Sequence, residues 1–283
     1  MTEATMTPRT STSPGPGASP DDPTSSGSVD LEGLGIAPWS EMETVDHVMR
    51  SLGEGRGGWM VTVNLDILRQ VVKVEGIREL VGASDLKVAD GMPLLWAARL
   101  QGTPLPERVC GSNLIHSLPA AAAAAGRSIF LLGGDPGTAE AAADALRTRH
   151  PELRIAGTHC PEFGFERDPE RIADMERRIA EASPDIVFVA LGFPKQERLV
   201  ERIRAAAPKA WWIGVGISFS FASGQVKRAP RWVQSIGLEW VHRILQEPRR
   251  LFVRYVVHDI PFGLGLLGRA IARRGRLVPK VDR

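Results

Sequence analysis

Residues 185–206 read DIVFVALGFPKQERLVERIRAA. Asp185–Leu191 is a strongly apolar run of strand length, the pattern of a strand buried on both faces. Gly192-Phe193-Pro194 turns the chain, and Lys195–Ala206 reads as a helix. The same alternation extends outward. Upstream, strands are expected at Gly57–Asn64, Asp85–Ala89, Ser128–Leu132 and Arg154–Gly157, and one follows downstream at Trp211–Val215. Helices are expected at Thr44–Leu52, Ile67–Val74, Pro93–Leu100, Asn113–Ala125, Thr138–Arg149 and Pro169–Ala182. Strands alternating with helices of this length imply βαβ units. The fold class is therefore α/β: a Rossmann-like, mostly parallel sheet with helices on both faces.

The ends of the chain differ from this middle. Twenty of residues 1–30 are Pro, Gly, Ser or Thr. Such a stretch buries too little apolar surface to offset its ordering entropy, so a disordered tail is expected there. The Rossmann-like domain is expected over 31–225. From Lys227 to Arg283 thirteen Lys/Arg face four Asp/Glu, a net +9 on a body of net −7. Ten of these arginines are interleaved with Trp, Leu, Phe and Ile. A basic amphipathic segment of that kind reads as a membrane-docking appendage, 226–283, seeking an anionic partner. No apolar run approaches the 18 residues of a membrane span. The N-terminus lacks a basic-then-apolar leader pattern, so a cytoplasmic location is expected. Cys110 and Cys160 have no Cys-x-x-Cys spacing, and both read as buried thiols.

Ligands bind parallel sheets at the carboxyl ends of the strands, so the turns there carry the functional candidates. Gly133-Gly134-Asp135-Pro136-Gly137 is either a phosphate cradle at a helix N-terminus or a plain tight turn. Gly192, Lys195, Gln196 and Glu197 lie in the second strand-to-helix turn, where Lys195 and Glu197 have a solvated alternative. Thr62 and Asn64 share one face of a strand end and need partners, from backbone or ligand. Asp90 precedes Gly91, as a turn residue or as a well-placed general base. No Asp-x-Asp pair and no metal-ligand spacing occur, so no metal and no cofactor are expected.

Several of these stretches together resemble the WecG/TagA/CpsF glycosyltransferases. They are Thr62-Val-Asn64, Ala89-Asp-Gly91, Arg108-x-x-Gly111, Phe130–Gly134, Gly192-Phe-Pro-Lys-Gln-Glu197, Lys227-Arg-Ala-Pro230, Leu238-Glu-Trp240 and Glu247–Arg250 with Arg254-Tyr255. They follow the family's order from Trp39 to Tyr255. The resemblance implies transfer of a sugar, typically N-acetylmannosamine, from a UDP-sugar to a lipid-linked saccharide acceptor at the cytoplasmic membrane face. It implies that Asp90 is the candidate base. Thr62, Asn64, Arg108 and Gln196 are then site residues, and Arg243, Arg250 and Arg254 are arginines of the appendage. Arg243 and Arg250 share a helical face unless Pro248 interrupts it. Asn113 departs from the Asp that many members carry.

Two other classes compete. A nicotinamide-dependent oxidoreductase needs Gly-x-Gly-x-x-Gly after a strand and an acidic residue about 20 positions on, and neither is found. A nucleic-acid-binding protein would use the basic tail without needing its apolar interleaving. The expected partners are a UDP-sugar, the acceptor and an anionic membrane surface, without nucleic acid; a homo-oligomer stays open.

Overall fold

The computed structural model describes residues 27–230, 232–233, 239–246 and 248–277, with the backbone only at 243, 250 and 275–277. A short antiparallel hairpin opens the fold, β1 (Val29–Leu31) and β2 (Leu34–Ile36). Val29 and Asp30 were expected in the tail; Val29, Leu31, Leu34 and Ile36 are buried, so the packed fold starts two residues earlier. The main sheet has six strands: β3 (Gly58–Val63), β4 (Leu86–Ala89), β5 (Ser128–Gly133), β6 (Arg154–His159), β7 (Ile186–Ala190) and β8 (Trp211–Gly214). Their order is β4-β3-β8-β7-β5-β6 and every neighbouring pair is parallel. This is the expected α/β architecture. β5 and β7 are buried along their whole length, as covering by helices on both faces demands.

The helices divide into two layers. On one face, Leu65–Lys73, Ile77–Gly82, Met92–Gln101, Pro169–Ala182 and Lys195–Ile203 bury Leu68, Val81, Leu94, Ile179 and Ile203 against Val61, Val187 and Trp212. On the other, Glu41–Gly53, Gly111–Ala124, Thr138–Arg149 and Ser218–Ala222 bury Val48, Leu114, Ala142 and Phe219 against Met60, Leu131 and Phe188. Local chemistry sets several starts. Ser40 and Glu43 form a reciprocal capping box, with Ser40 N–H donating to Glu43 at 2.7 Å and Glu43 N–H donating to Ser40 Oγ at 3.2 Å. Asp168 caps the helix that Pro169 begins.

β5 and β7 are neighbours whose connections leave in opposite directions: β5 leads outward to β6, β7 back to β8. That reversal opens a crevice at their carboxyl ends.

The C-terminal segment is helical at Glu239–Gln246, Pro248–Phe252 and Ile260–Leu277, with π-helical winding over Val253–Asp259. Residue 247 lies outside the described residues, and so does the question whether one helical face carries both Arg243 and Arg250. The segment is less separable than a boundary at 225 implies. Phe262, Leu266 and Ala270 are buried in the same core as Leu68 and Leu94, and Ile260–Leu277 packs along Met92–Gln101.

Candidate active site

Because all six strands are parallel, the turns singled out in the sequence emerge at one edge. The register pairs Val63 with Ala89, which sets Asn64 beside Asp90; Asp90 N–H donates to Val63 O at 2.8 Å. Gly133 pairs with Ala190, and Val189 with Gly214, so the Gly133-Gly134 and Gly192 turns follow along the same edge.

Thr62 and Asn64 find backbone partners. Thr62 is buried and its Oγ1 lies 3.4 Å from Gly214 O. Asn64 Oδ1 caps the Leu65–Lys73 helix, accepting from Ile67 N–H at 3.0 Å. Gln196 and Glu197 are buried, which overturns the solvated alternative for Glu197. Gln196 Oε1 accepts from Gly192 N–H at 3.2 Å and its Nε2 donates to Glu197 Oε1 at 2.8 Å. A Cβ at Gly214 would stand 2.2 Å from Gln196 Nε2, so glycine is what lets this amide lie on the β8 end. Burial pushes the Glu197 carboxyl up to about 7, against the hydrogen bond from Gln196. Gln196 thus braces the turn between two strand ends. Lys195 sits between the Phe163 and Phe165 rings, 5.3 and 5.6 Å from their centres, and its Nζ pairs with Glu166 at 3.2 Å.

The densest charged cluster joins body to C-terminal segment. Val109 N–H donates to Ala89 O at 2.8 Å, which fixes Arg108 over the β4 end. Gly111 packs on Val215 so closely that a Cβ would come 2.9 Å from its Cα, bringing the same loop over β8. Arg108 Nη1 and Arg228 Nε each donate to one carboxylate, Glu239, at 2.9 Å. Arg228 also donates to Ser112 O at 3.2 Å and Asn113 Oδ1 at 2.7 Å. Asn113 Nδ2 donates to Glu41 at 2.8 Å. An amide therefore serves at 113 where a carboxylate would repel Glu41. Burial works against the Arg108 charge, but Cys110, Asp90 and Glu239 outweigh it and hold the guanidinium protonated. Three separate sequence stretches, around Arg108, Arg228 and Glu239, thus meet within hydrogen-bond distance. Arg228 and Glu239 carry roles that reading the motifs singly did not assign; their shared signal was two opposite charges in adjacent matched stretches.

Arg254 pairs with Asp66 at 3.0 Å, and Arg69 bridges Asp66 and Asp259. Burial and the Asp66 charge push Asp259 up to about 6. Arg254 is thereby engaged by protein carboxylates. The side chains of Arg243 and Arg250 lie outside the described residues. Cys110 is buried as expected, but Cys160 is only half-buried, its Sγ 3.2 Å from Gly134 O in the crevice wall. Among the described residues no three His, Cys, Asp or Glu side chains gather as a metal-binding group, and no helix is long and apolar enough to cross a membrane.

The family model described as the glycosyl transferase WecG/TagA/CpsF family matches residues 29–276, from the first residue of β1 to the last turn of the final helix. The chain belongs to the WecG/TagA/CpsF family, glycosyltransferases of cell-surface polysaccharide synthesis.

Proposed function

We propose that this protein is an inverting, UDP-sugar-dependent hexosyltransferase acting on a polyprenyl-diphosphate-linked saccharide at the cytoplasmic membrane face. N-acetylmannosamine or a related hexose is the sugar transferred. The observation that carries the reading is Asp90 at a strand end, under the field of Arg108 and beside the Arg108–Glu239–Arg228 cluster. A carboxylate there takes the proton from the acceptor hydroxyl as that oxygen attacks the anomeric carbon. The bond to UDP breaks on the opposite side, which inverts the centre. The departing diphosphate gains negative charge, and Arg108 and Arg228 supply the opposite charge without a metal. Lys195, Gly134 and Gly192 line or flank the donor crevice, and Gln196 and Glu197 hold its turn.

Membrane contact is supported by an apolar stripe on the C-terminal segment. Ile260, Leu264 and Ile271 share one side of the α-helix Ile260–Leu277, and Val253 and Val257 in the π-helical turn before it add apolar surface; each is 38% exposed or more. A water-soluble donor and a bilayer-anchored acceptor meet only if the site is held at the surface.

The test is turnover of a UDP-sugar panel on a lipid-diphosphate acceptor, with wild type and Asp90→Asn. Wild type is expected to use at least one donor. The variant should lose on the order of 10²–10⁴ in rate while binding UDP as before. A variant within a few-fold of wild type removes Asp90 from the base role, and a wild type inert toward every UDP-sugar overturns the donor class.

A further inference from the structure

Glu197 lies in the first turn of the Lys195–Ile203 helix and is 1% exposed, too deep to meet a substrate itself. Its Oε1 accepts from Gln196 Nε2 at 2.8 Å, while its Oε2 is buried and has no hydrogen-bond partner among the described residues. The charged groups of its own turn and of the elements packed on it are engaged elsewhere or face solvent. Lys195 pairs with Glu166, Arg204 pairs with Asp85, Arg78 donates to backbone carbonyls of the opening hairpin, and Arg198 and Glu79 are exposed. A buried polar atom without a partner costs stability, and a carboxyl costs more than a neutral group. A side chain that only filled this space would be apolar. Places where a fold carries such a cost are where a functional demand is expected.

The carboxyl selects one of two orientations of the Gln196 amide. Glu197 Oε1 accepts, and Gly192 N–H can only donate. With Nε2 toward Glu197 and Oε1 toward Gly192 N–H, at 2.8 and 3.2 Å, both ends of the amide are matched. The reversed amide would set Oε1 against the carboxyl and its NH2 group against Gly192 N–H. Gly214 makes room for this pair, since a Cβ there would stand 2.2 Å from Gln196 Nε2 and 3.0 Å from Glu197 Oε1. Thr62 Oγ1 lies 3.4 Å from the carbonyl of the same glycine. The amide is thus fixed over the end of β8, next to β3, whose end carries Asn64 beside Asp90.

We propose that Glu197 is a positioning residue of the transferase site. It holds the Gln196 amide in one orientation, so that the second N–H of Nε2 is a fixed donor for an oxygen of the bound substrate, and it does this at a cost to stability. The inference rests on the UDP-sugar reading above and adds to it a residue that acts only through another.

The test compares full-length wild type, Glu197→Leu and Glu197→Gln by melting at pH 4.5 and pH 8, and by turnover of a UDP-sugar on the lipid-diphosphate acceptor. Burial raises the carboxyl to about 7 from its ordinary 4.5, against the hydrogen bonds from Gln196 and from its own backbone N–H. An acid raised in this way lowers stability as pH rises above its unfolded-state value, with the loss complete above the folded-state one. Glu197→Leu should therefore melt above wild type at pH 8, by a margin that shrinks toward pH 4.5. It should nevertheless lose up to about 100-fold in kcat, the scale for a misplaced group at a reacting site. Glu197→Gln, whose carbonyl still accepts from Gln196, should recover most of that rate. A Glu197→Leu protein in which melting point and rate fall together makes the residue a structural brace and overturns the proposal. So does a Glu197→Leu rate close to wild type, or a Glu197→Gln protein no faster than Glu197→Leu. Wild type inert toward every UDP-sugar strikes instead at the donor reading, and the role of Glu197 falls with it.

Discussion

Glu239→Gln tests whether the C-terminal segment is fixed to the body through one carboxylate. Glu239 accepts from two guanidiniums at 2.9 Å each, with side-chain exposures of 14% for itself and 18% and 19% for Arg108 and Arg228. A hydrogen bond to a charged group is worth about 1.5–3 kcal/mol net. Breaking a fully buried ion pair costs about 3–5 kcal/mol, because the partner is left uncompensated. Here two partners are left, but residual solvent and the nearby Asp90 screen them, so the expected loss is about 2–3 kcal/mol. For a chain of this size that lowers Tm by about 4–12 °C. The pH dependence has a definite sign. Burial opposes the Glu239 charge, but Arg228 and then Arg108 outweigh it and hold the carboxyl below its ordinary value of 4.5. The stabilisation is fully present above that value and is lost as pH falls through the lower, folded-state one. Circular-dichroism melts of both proteins from pH 7 to pH 3 should show the Tm gap close in acid. A gap under about 1 °C at pH 7, or one that stays constant below pH 4, would refute the reasoning.

Two further outcomes are expected. Turnover should survive EDTA, since the proposed mechanism sets Arg108 and Arg228 against the departing diphosphate; restoration of a chelated, inactive enzyme specifically by Mg²⁺ or Mn²⁺ would sink the metal-free mechanism. Val257→Asp, at a side chain 52% exposed on the apolar stripe, should change stability by no more than about 0.5 kcal/mol yet reduce co-sedimentation with anionic vesicles. Unchanged sedimentation would argue against docking through this face.

Much of the fold was legible because its signals are local. Thr138–Arg149 and Pro169–Ala182 fall on their expected bounds, where Gly137 and the Asp168-Pro169 pair mark the starts. The hairpin at Val29–Ile36 and the helix Ile77–Gly82 escaped for the opposite reason: three-residue strands and a six-residue helix are too short for a period to show. At the site, strand-end turns located Asp90, Gly134 and Gly192 correctly along one edge, because parallel strands leave no other place for them. Partners were less legible. That Asn64 would cap its own helix, and that Thr62 would meet Gly214 some 150 positions away, depends on backbone geometry and strand order. Phe163 carried no signal, since a lone aromatic in a loop looks the same whether it is buried or bare.

The C-terminal segment shows what composition alone leaves open. Its excess of arginine suggested charge held in reserve for an anionic surface. Among the described residues, four of those arginines meet carboxylates of the protein itself. Arg228 meets Glu239 beside Arg108, Arg254 meets Asp66, and Arg269 and Arg273 meet Glu32 and Asp30 of the opening hairpin. Three arginines of the +9 segment, Arg254, Arg269 and Arg273, thus tie it to carboxylates of the −7 body. What faces outward along Val253–Ile271 is an apolar stripe, while Phe262, Leu266 and Ala270 on the same helices face the core. Periodicity revealed that the segment was amphipathic, but not that it carries two apolar sides. Cutting the chain near residue 225 would therefore uncover Leu68 and Leu94 and leave Asp66 without Arg254. A truncated protein that failed to bind vesicles would report damage to the core as readily as loss of a docking face. A single exposed residue such as Val257 separates the two, because it touches the proposed surface and leaves the ion pairs in place.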